Sequence, residues 1–104
     1  MSVNGCVFTN NVSGGGGGIC NRADMSVTDS TLTGNNTGNT PLVYGGGIFN
    51  IGSLTLVSST LNGNTARYGY GGGIANRGQM TVTNSTLSGN SAGLSGGASS
   101  TAAR

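Results

Sequence analysis

The chain of 104 residues contains no histidine, lysine, glutamate or tryptophan, and only two aspartates, two cysteines and one proline. Each scarcity removes a class of function. General acid–base catalysis draws first on His, Glu and Asp, and here only Asp24 and Asp29 can be considered. They flank an alternating segment, Met25 to Thr28, that reads as a strand, which separates them by roughly 16 Å. Glycoside hydrolysis asks for two carboxylates about 5–9.5 Å apart, and a calcium site asks for several converging oxygen ligands. Neither is expected, so the chain reads as non-enzymatic, without cofactor or metal. A nucleic-acid footprint needs clustered basic charge, whereas four arginines are spread from Arg22 to Arg104 for a net charge of +2. No apolar run approaches the ~20 residues of a membrane-spanning helix. Leu, Ile, Val and Phe are also scarce, at a level that borders on disorder, but disorder of that kind usually accompanies high net charge.

What the chain has in excess is glycine, 22 residues of it, and the glycines are phased. Gly16-Gly17-Gly18-Ile19, Gly45-Gly46-Gly47-Ile48 and Gly71-Gly72-Gly73-Ile74 are copies of one another, with Ser95-Gly96-Gly97-Ala98 a weaker fourth. A leucine follows each isoleucine at the same distance of 13 residues, at Leu32, Leu61 and Leu87. A repeat in the twenties is the sequence sign of a solenoid, in which each repeat forms one turn.

Three short segments make up each repeat. The first is the glycine triplet followed by Ile-x-Asn, ending at Asn21, Asn50 and Asn76. The second alternates apolar and hydroxyl residues, as in Leu54-Thr55-Leu56, the period of a half-buried strand. The third is Ser-Thr-Leu-x-Gly-Asn, ending at Asn35, Asn64 and Asn90, with Cys6 to Asn11 a divergent first copy. Segments this short make poor helices, and Gly or Asn between them supplies corners. The predicted fold is therefore all-β: a parallel β-helix or β-solenoid of about four three-sided coils, with a right-handed sense expected. The whole chain, 1–104, reads as a single solenoid with coil repeats near 1–24, 25–53, 54–79 and 80–104.

Stacked coils would place matched residues in columns about 4.8 Å apart. Ile19, Ile48 and Ile74 form one predicted core column, continued by Ala98, and Phe8, Leu32, Leu61 and Leu87 form another. Met1, Met25, Leu54 and Met80, and Val3, Val27, Leu56 and Val82, supply two more. Asn21, Asn50 and Asn76 are candidates for an asparagine ladder at one corner, and Asn11, Asn35, Asn64 and Asn90 for a second; the same residues also serve as plain turn formers. Ser2, Ser26, Thr55 and Thr81 should point outward in one column, and Val7, Thr31, Thr60 and Thr86 in another. Such hydroxyl arrays resemble the ice-binding faces of β-helical antifreeze proteins, although outward Thr is also simply a good strand residue.

Length varies at one corner only. Gly45 comes ten positions after Asn35, Gly71 seven after Asn64, and Gly16 five after Asn11. Insertions in solenoids collect on one side, often the binding side. Tyr44, Arg67, Tyr68 and Tyr70 stand there as candidate binding-loop residues, since Tyr and Arg are favoured at recognition surfaces. Alternatively Tyr44, Tyr70 and Leu94, at matched positions, cover the core where it meets the loops. Cys6 and Cys20 could pair or remain free thiols.

Glycine-glycine-apolar repeats alternating with Phe-x-x-Asn, as in Phe8-Thr9-Asn10-Asn11, resemble the passenger repeats of the chlamydial polymorphic outer membrane proteins. More broadly they resemble the parallel β-helix repeats of large bacterial surface proteins. Leu32, Leu61 and Leu87 depart from the aromatic of that pattern, while Asn35, Asn64 and Asn90 keep its asparagine; the chain is also short and carries no β-barrel anchor. The resemblance implies an extracellular or cell-surface location and a structural or adhesive role. Met1-Ser2-Val3 already aligns with the repeat, so no signal peptide is read at the start. A removed leader, or a longer parent protein, would account for this. Because the chain begins and ends in phase and without polar caps, head-to-tail stacking with copies of itself is the expected partnership. A host surface or a polysaccharide is the alternative, reached through the Tyr-bearing loops or the outward Thr columns.

Overall fold

Parallel pairing in strict register is what a repeat of short alternating segments dictates, because a slip of one residue would turn every apolar side chain outward. The computed structural model describes residues 2–13, 16–38, 45–67, 69–93 and 99–101. The first level of the solenoid holds β1 (Ser2–Asn4), β2 (Val7–Thr9) and β3 (Ile19–Asn21). Next come β4 (Asp24–Thr28), β5 (Thr31–Thr33) and β6 (Ile48–Asn50). A third level holds β7 (Ser53–Val57), β8 (Thr60–Asn62), β9 (Thr65–Ala66) and β10 (Ile74–Asn76). The last holds β11 (Gln79–Thr83), β12 (Thr86–Ser88), β13 (Ser91–Ala92) and β14 (Ser99–Thr101).

These strands form three four-stranded parallel sheets, ordered β1-β4-β7-β11, β2-β5-β8-β12 and β3-β6-β10-β14. The chain is thus an all-β parallel β-solenoid. Matched residues are direct partners: Ile19 with Ile48 and Ile48 with Ile74, Phe8 with Leu32, Leu32 with Leu61 and Leu61 with Leu87. Between the sheets lies a core of Ile19, Met25, Val27, Leu32, Ile48, Leu54, Leu56, Leu61 and Ile74, with Val3, Phe8, Met80 and Leu87 packed on it half-buried. Each fully buried Leu or Ile contributes about 1.5–3 kcal/mol, and each does so only because another level covers it.

The structure adds a fourth, short column that three segments per repeat do not include. β9 pairs with β13, and isolated bridges join Val12 to Asn36 and Asn36 to Thr65. The residues directly after each ladder asparagine are therefore paired, and the variable stretch starts beyond them. Two residues are too few for a period of two to be visible, and Val12, Asn36, Thr65 and Ser91 have no residue type common to the column. Their pairing is imposed by the levels on either side.

Besides the glycine triplets, which open on left-handed Gly16, Gly45 and Gly71, two corners per level turn through left-handed backbone. One uses Gly5, Asp29, Ser58 and Asn84, with φ of 63°, 49°, 49° and 48°, and the other uses Asn10, Gly34, Gly63 and Gly89. Asn and Asp tolerate this region better than most residues, whereas Ser58 is held there by its surroundings. Met1, Pro41, Tyr44, Tyr68, Leu94 and Ala98 lie outside the described residues, so the columns and loops assigned to them are not followed further.

Candidate functional site: inter-level ladders and outward faces

A buried asparagine must find partners for two amide hydrogens and a carbonyl. Stacking supplies them. At the first corner Asn21 Nδ2 donates to Asn50 Oδ1 at 2.7 Å, and Asn50 Nδ2 donates to Asn76 Oδ1 at 2.7 Å. The same amides donate to the next strand, Asn21 to Ser53 O and Asn50 to Gln79 O. At the second corner Asn11, Asn35 and Asn64 each donate twice to the next level, through the backbone N–H and through Nδ2. Both bonds converge on Oδ1 of Asn35, Asn64 and Asn90 respectively, at 2.9–3.1 Å. Asn35, Asn50 and Asn64 are fully buried. In this geometry the asparagines tie one level to the next, which plain turn formers would not do.

A third ladder runs beside these, formed by side chains that the sequence reading left aside. The N–H groups of Cys6, Ser30 and Ser59 donate to Oγ of Ser30, Ser59 and Ser85, each at 3.1 Å. Each serine hydroxyl in turn donates two residues back, to Thr28 O, Val57 O and Thr83 O. The signal was the serine that opens Ser-Thr-Leu in three copies, and only the left-handed residue before it explains why a hydroxyl is needed there. Cys6 fills the first place, with Sγ donating to Asn4 O at 3.4 Å.

The glycine triplets mark the closest approach between levels. Gly45 has φ of 71°, and its N–H donates to Tyr70 O at 2.9 Å, while those of Gly46 and Gly47 donate to Gly71 O and Gly72 O at 3.0 Å. A Cβ on Gly46 would collide with the carbonyl oxygen of Gly72 and lie 2.5 Å from the Thr65 N and C atoms. Backbone packs directly on backbone there, leaving no space for a side chain.

On the outside, Ser2, Ser26, Thr55 and Thr81 stand in one exposed column with paired Cα atoms. Val7, Thr31, Thr60 and Thr86 stand in another, Val7 and Thr86 exposed and the two between them half-buried. Arg67 is exposed and Tyr70 half-buried. A shallow cleft of about 250 Å³ is lined by Asn36, Gly38, Thr65 and Arg67, so the variable corner does present a recess beside one of its named residues. Asp24 and Asp29 are exposed, and no group of three or more His, Cys, Asp or Glu able to hold a metal occurs among the described residues. Cys6 and Cys20 are free, exposed thiols. No helix among the described residues is long and apolar enough to cross a membrane.

Residues 5–22 match the family model described as the Chlamydia polymorphic membrane protein repeat. That span carries β2, Asn11, the first glycine triplet, Ile19 and Asn21, so it includes one copy each of the Phe-x-x-Asn and Gly-Gly-x-Ile elements. With the parallel solenoid built by the described residues, it fits a repeat of the chlamydial polymorphic membrane protein type, a family of surface proteins. No curated protein and no solved structure matches the chain.

Proposed function

We propose, from the premise that a surface-protein repeat here builds a laddered parallel solenoid, that the chain is a non-catalytic extracellular spacer. It would act either as a stalk segment in a bacterial surface protein or as a fibre of stacked copies. The observation that carries this reading is the use of the buried polar side chains: Asn21, Asn35, Asn50, Asn64, Ser30 and Ser59 all bond between levels. They serve axial cohesion, which is what a spacer under load requires. Negative-stain microscopy followed by fibre diffraction tests it. Rods or fibres with a ~4.8 Å axial reflection are expected of stacked copies; folded particles without axial order leave the stalk alone, and a chain without β structure by circular dichroism would defeat both.

A second reading, adhesion to a polysaccharide or host surface, is favoured by the Asn36–Gly38–Thr65–Arg67 cleft at the corner of variable length. Arg67→Ala with the fold retained and glycan or cell adhesion lost would support it; unchanged adhesion would remove it.

A further inference from the structure

Three stretches of the chain read Asn-x-Ser/Thr, the acceptor pattern for N-linked sugars: Asn11-Val12-Ser13, Asn35-Asn36-Thr37 and Asn84-Ser85-Thr86. A sequence rich in Asn and Thr yields such matches by accident, so the pattern alone selects none of them. The fold sorts them. A transferase must take hold of the side-chain NH2 before its nitrogen becomes a nucleophile, and it reads the hydroxyl two residues further on. Both groups have to be reachable from solvent.

Asn35 fails on both counts. It is fully buried, its Nδ2 donates to Phe8 O and to Asn64 Oδ1 at 3.0 Å, and Thr37 is buried as well. Asn11 is exposed, but its Nδ2 is a rung of the same ladder, donating to Asn35 Oδ1 at 2.9 Å. At Asn84 neither obstacle is present. Asn84 and Thr86 are both exposed, and the Asn84 amide enters no hydrogen bond among the described residues. This exposure belongs to the corner itself, because Asp29 and Ser58, which hold the same left-handed position on inner levels, are exposed too. The bonding between levels is carried by the residue that follows. Ser85 Oγ accepts from the Ser59 N–H and donates to Thr83 O, which leaves Asn84 outside every rung.

We propose that Asn84 is the acceptor of an N-linked sugar, and that Asn11 and Asn35 are not. This inference rests on the extracellular placement in the spacer reading, since such sugars mark surface segments of secreted proteins. In the reaction Asn84 Nδ2 attacks the anomeric carbon of a sugar activated as a nucleotide or lipid pyrophosphate. The N–C bond forms as the C–O bond to phosphate breaks. The phosphate leaving group keeps the bonding pair, and one amide hydrogen leaves as a proton to a base of the transferase. No ladder bond is lost, because Ser85 and not Asn84 carries the rung at this corner. The product is a bulky, hydrated group on the outside of the solenoid, between β11 and β12.

The test incubates the folded full chain with an N-glycosyltransferase that recognises Asn-x-Ser/Thr and with a nucleotide-activated hexose. Intact mass and then peptide masses are read. One added hexose on Asn84 is expected, with none on Asn11 or Asn35. Asn84→Gln should keep its circular dichroism spectrum and lose the added mass altogether. No transfer to the wild type, transfer to Asn11 or Asn35 in the folded chain, or a hexose that persists in Asn84→Gln overturns the assignment. Chain isolated from the cells that make it supplies the second measurement. An amidase that cuts N-linked sugars converts the carrying asparagine to aspartate, so an aspartate is expected at position 84 after treatment. An asparagine unchanged there overturns the proposal. Either failure leaves the stalk or fibre standing, since that reading is judged by circular dichroism and fibre diffraction and does not involve the Asn84 amide.

Discussion

Replacing Asn64 by alanine should be among the most damaging single changes available in this chain, more so than its size suggests. Asn64 is fully buried. Its Oδ1 accepts from both the backbone N–H and Nδ2 of Asn35, each at 3.0 Å, and its Nδ2 donates to Leu32 O and Asn90 Oδ1 at 2.9 Å. In Asn64→Ala the Asn90 oxygen still receives the backbone N–H of residue 64, and Asn35 Nδ2 still reaches Phe8 O. Left without partners are the Asn35 N–H and one hydrogen of its amide. A buried donor left unsatisfied costs about 1–3 kcal/mol, so about 2–6 kcal/mol is expected. That is a large part of the ~5–15 kcal/mol stability of a typical domain. Asn11→Ala is the internal control: Asn11 is exposed and gives up one amide bond, while Asn35 Oδ1 keeps the bond from the residue 11 N–H; less than about 1 kcal/mol is expected. Urea unfolding followed by circular dichroism separates them. With a slope of about 2 kcal/mol per molar, the Asn64→Ala midpoint should fall by roughly 1–3 M and that of Asn11→Ala by less than about 0.5 M. Equal midpoints for the two variants would refute the view that the ladder holds the levels together.

Other expectations are simpler to state. Gly46→Ala should prevent folding or cost more than about 3 kcal/mol, because the new methyl meets backbone that cannot move aside. Gly5→Ala, with φ of 63° but nothing within 4 Å of the added carbon, should cost only about 1–2 kcal/mol for the left-handed conformation; thermal melts of the two rank them. Thr37→Val should be neutral or stabilising, since the buried Thr37 hydroxyl has no partner among the described residues and an unpaired buried polar group is unfavourable. A loss above about 1 kcal/mol would reveal a partner. In the native protein two thiols should react promptly with a thiol-specific reagent, as Cys6 and Cys20 are both exposed; a count of zero would mean that they are covered or paired.

The columns of this solenoid were legible because they repeat: the constant distance from Ile19 to Leu32, Ile48 to Leu61 and Ile74 to Leu87 fixed which residues share a face. The residues of both asparagine ladders were likewise visible as matched positions, although only coordinates distinguish Asn64 as a bridge from Asn64 as a corner residue. The serine ladder was harder to see, since its energetic role depends on the left-handed residue before it, and Gly5, Asp29, Ser58 and Asn84 do not look alike. The fourth column stayed hidden because Val12, Asn36, Thr65 and Ser91 carry no one residue type down the column, and only Thr65 and Ser91 meet side chain to side chain. Function is less legible, for a physical reason. Nearly every patterned residue serves stacking, and the residues free to vary lie where the repeat gives no second copy against which to read them.

The short fourth column has one more consequence. Successive asparagines of its neighbouring ladder are 24, 29 and 26 residues apart in the chain, yet their amide bonds are all 2.9–3.0 Å. Chain length between levels is thus decoupled from distance between levels. The paired residues at 12, 36, 65 and 91 act as an anchor, after which the backbone returns to the next glycine triplet by a path of any sufficient length. Evolution can lengthen or recode the stretch between Gly38 and Gly45 without disturbing one rung. By the same logic the register is set on both sides of that stretch, at Asn36 and at Gly45.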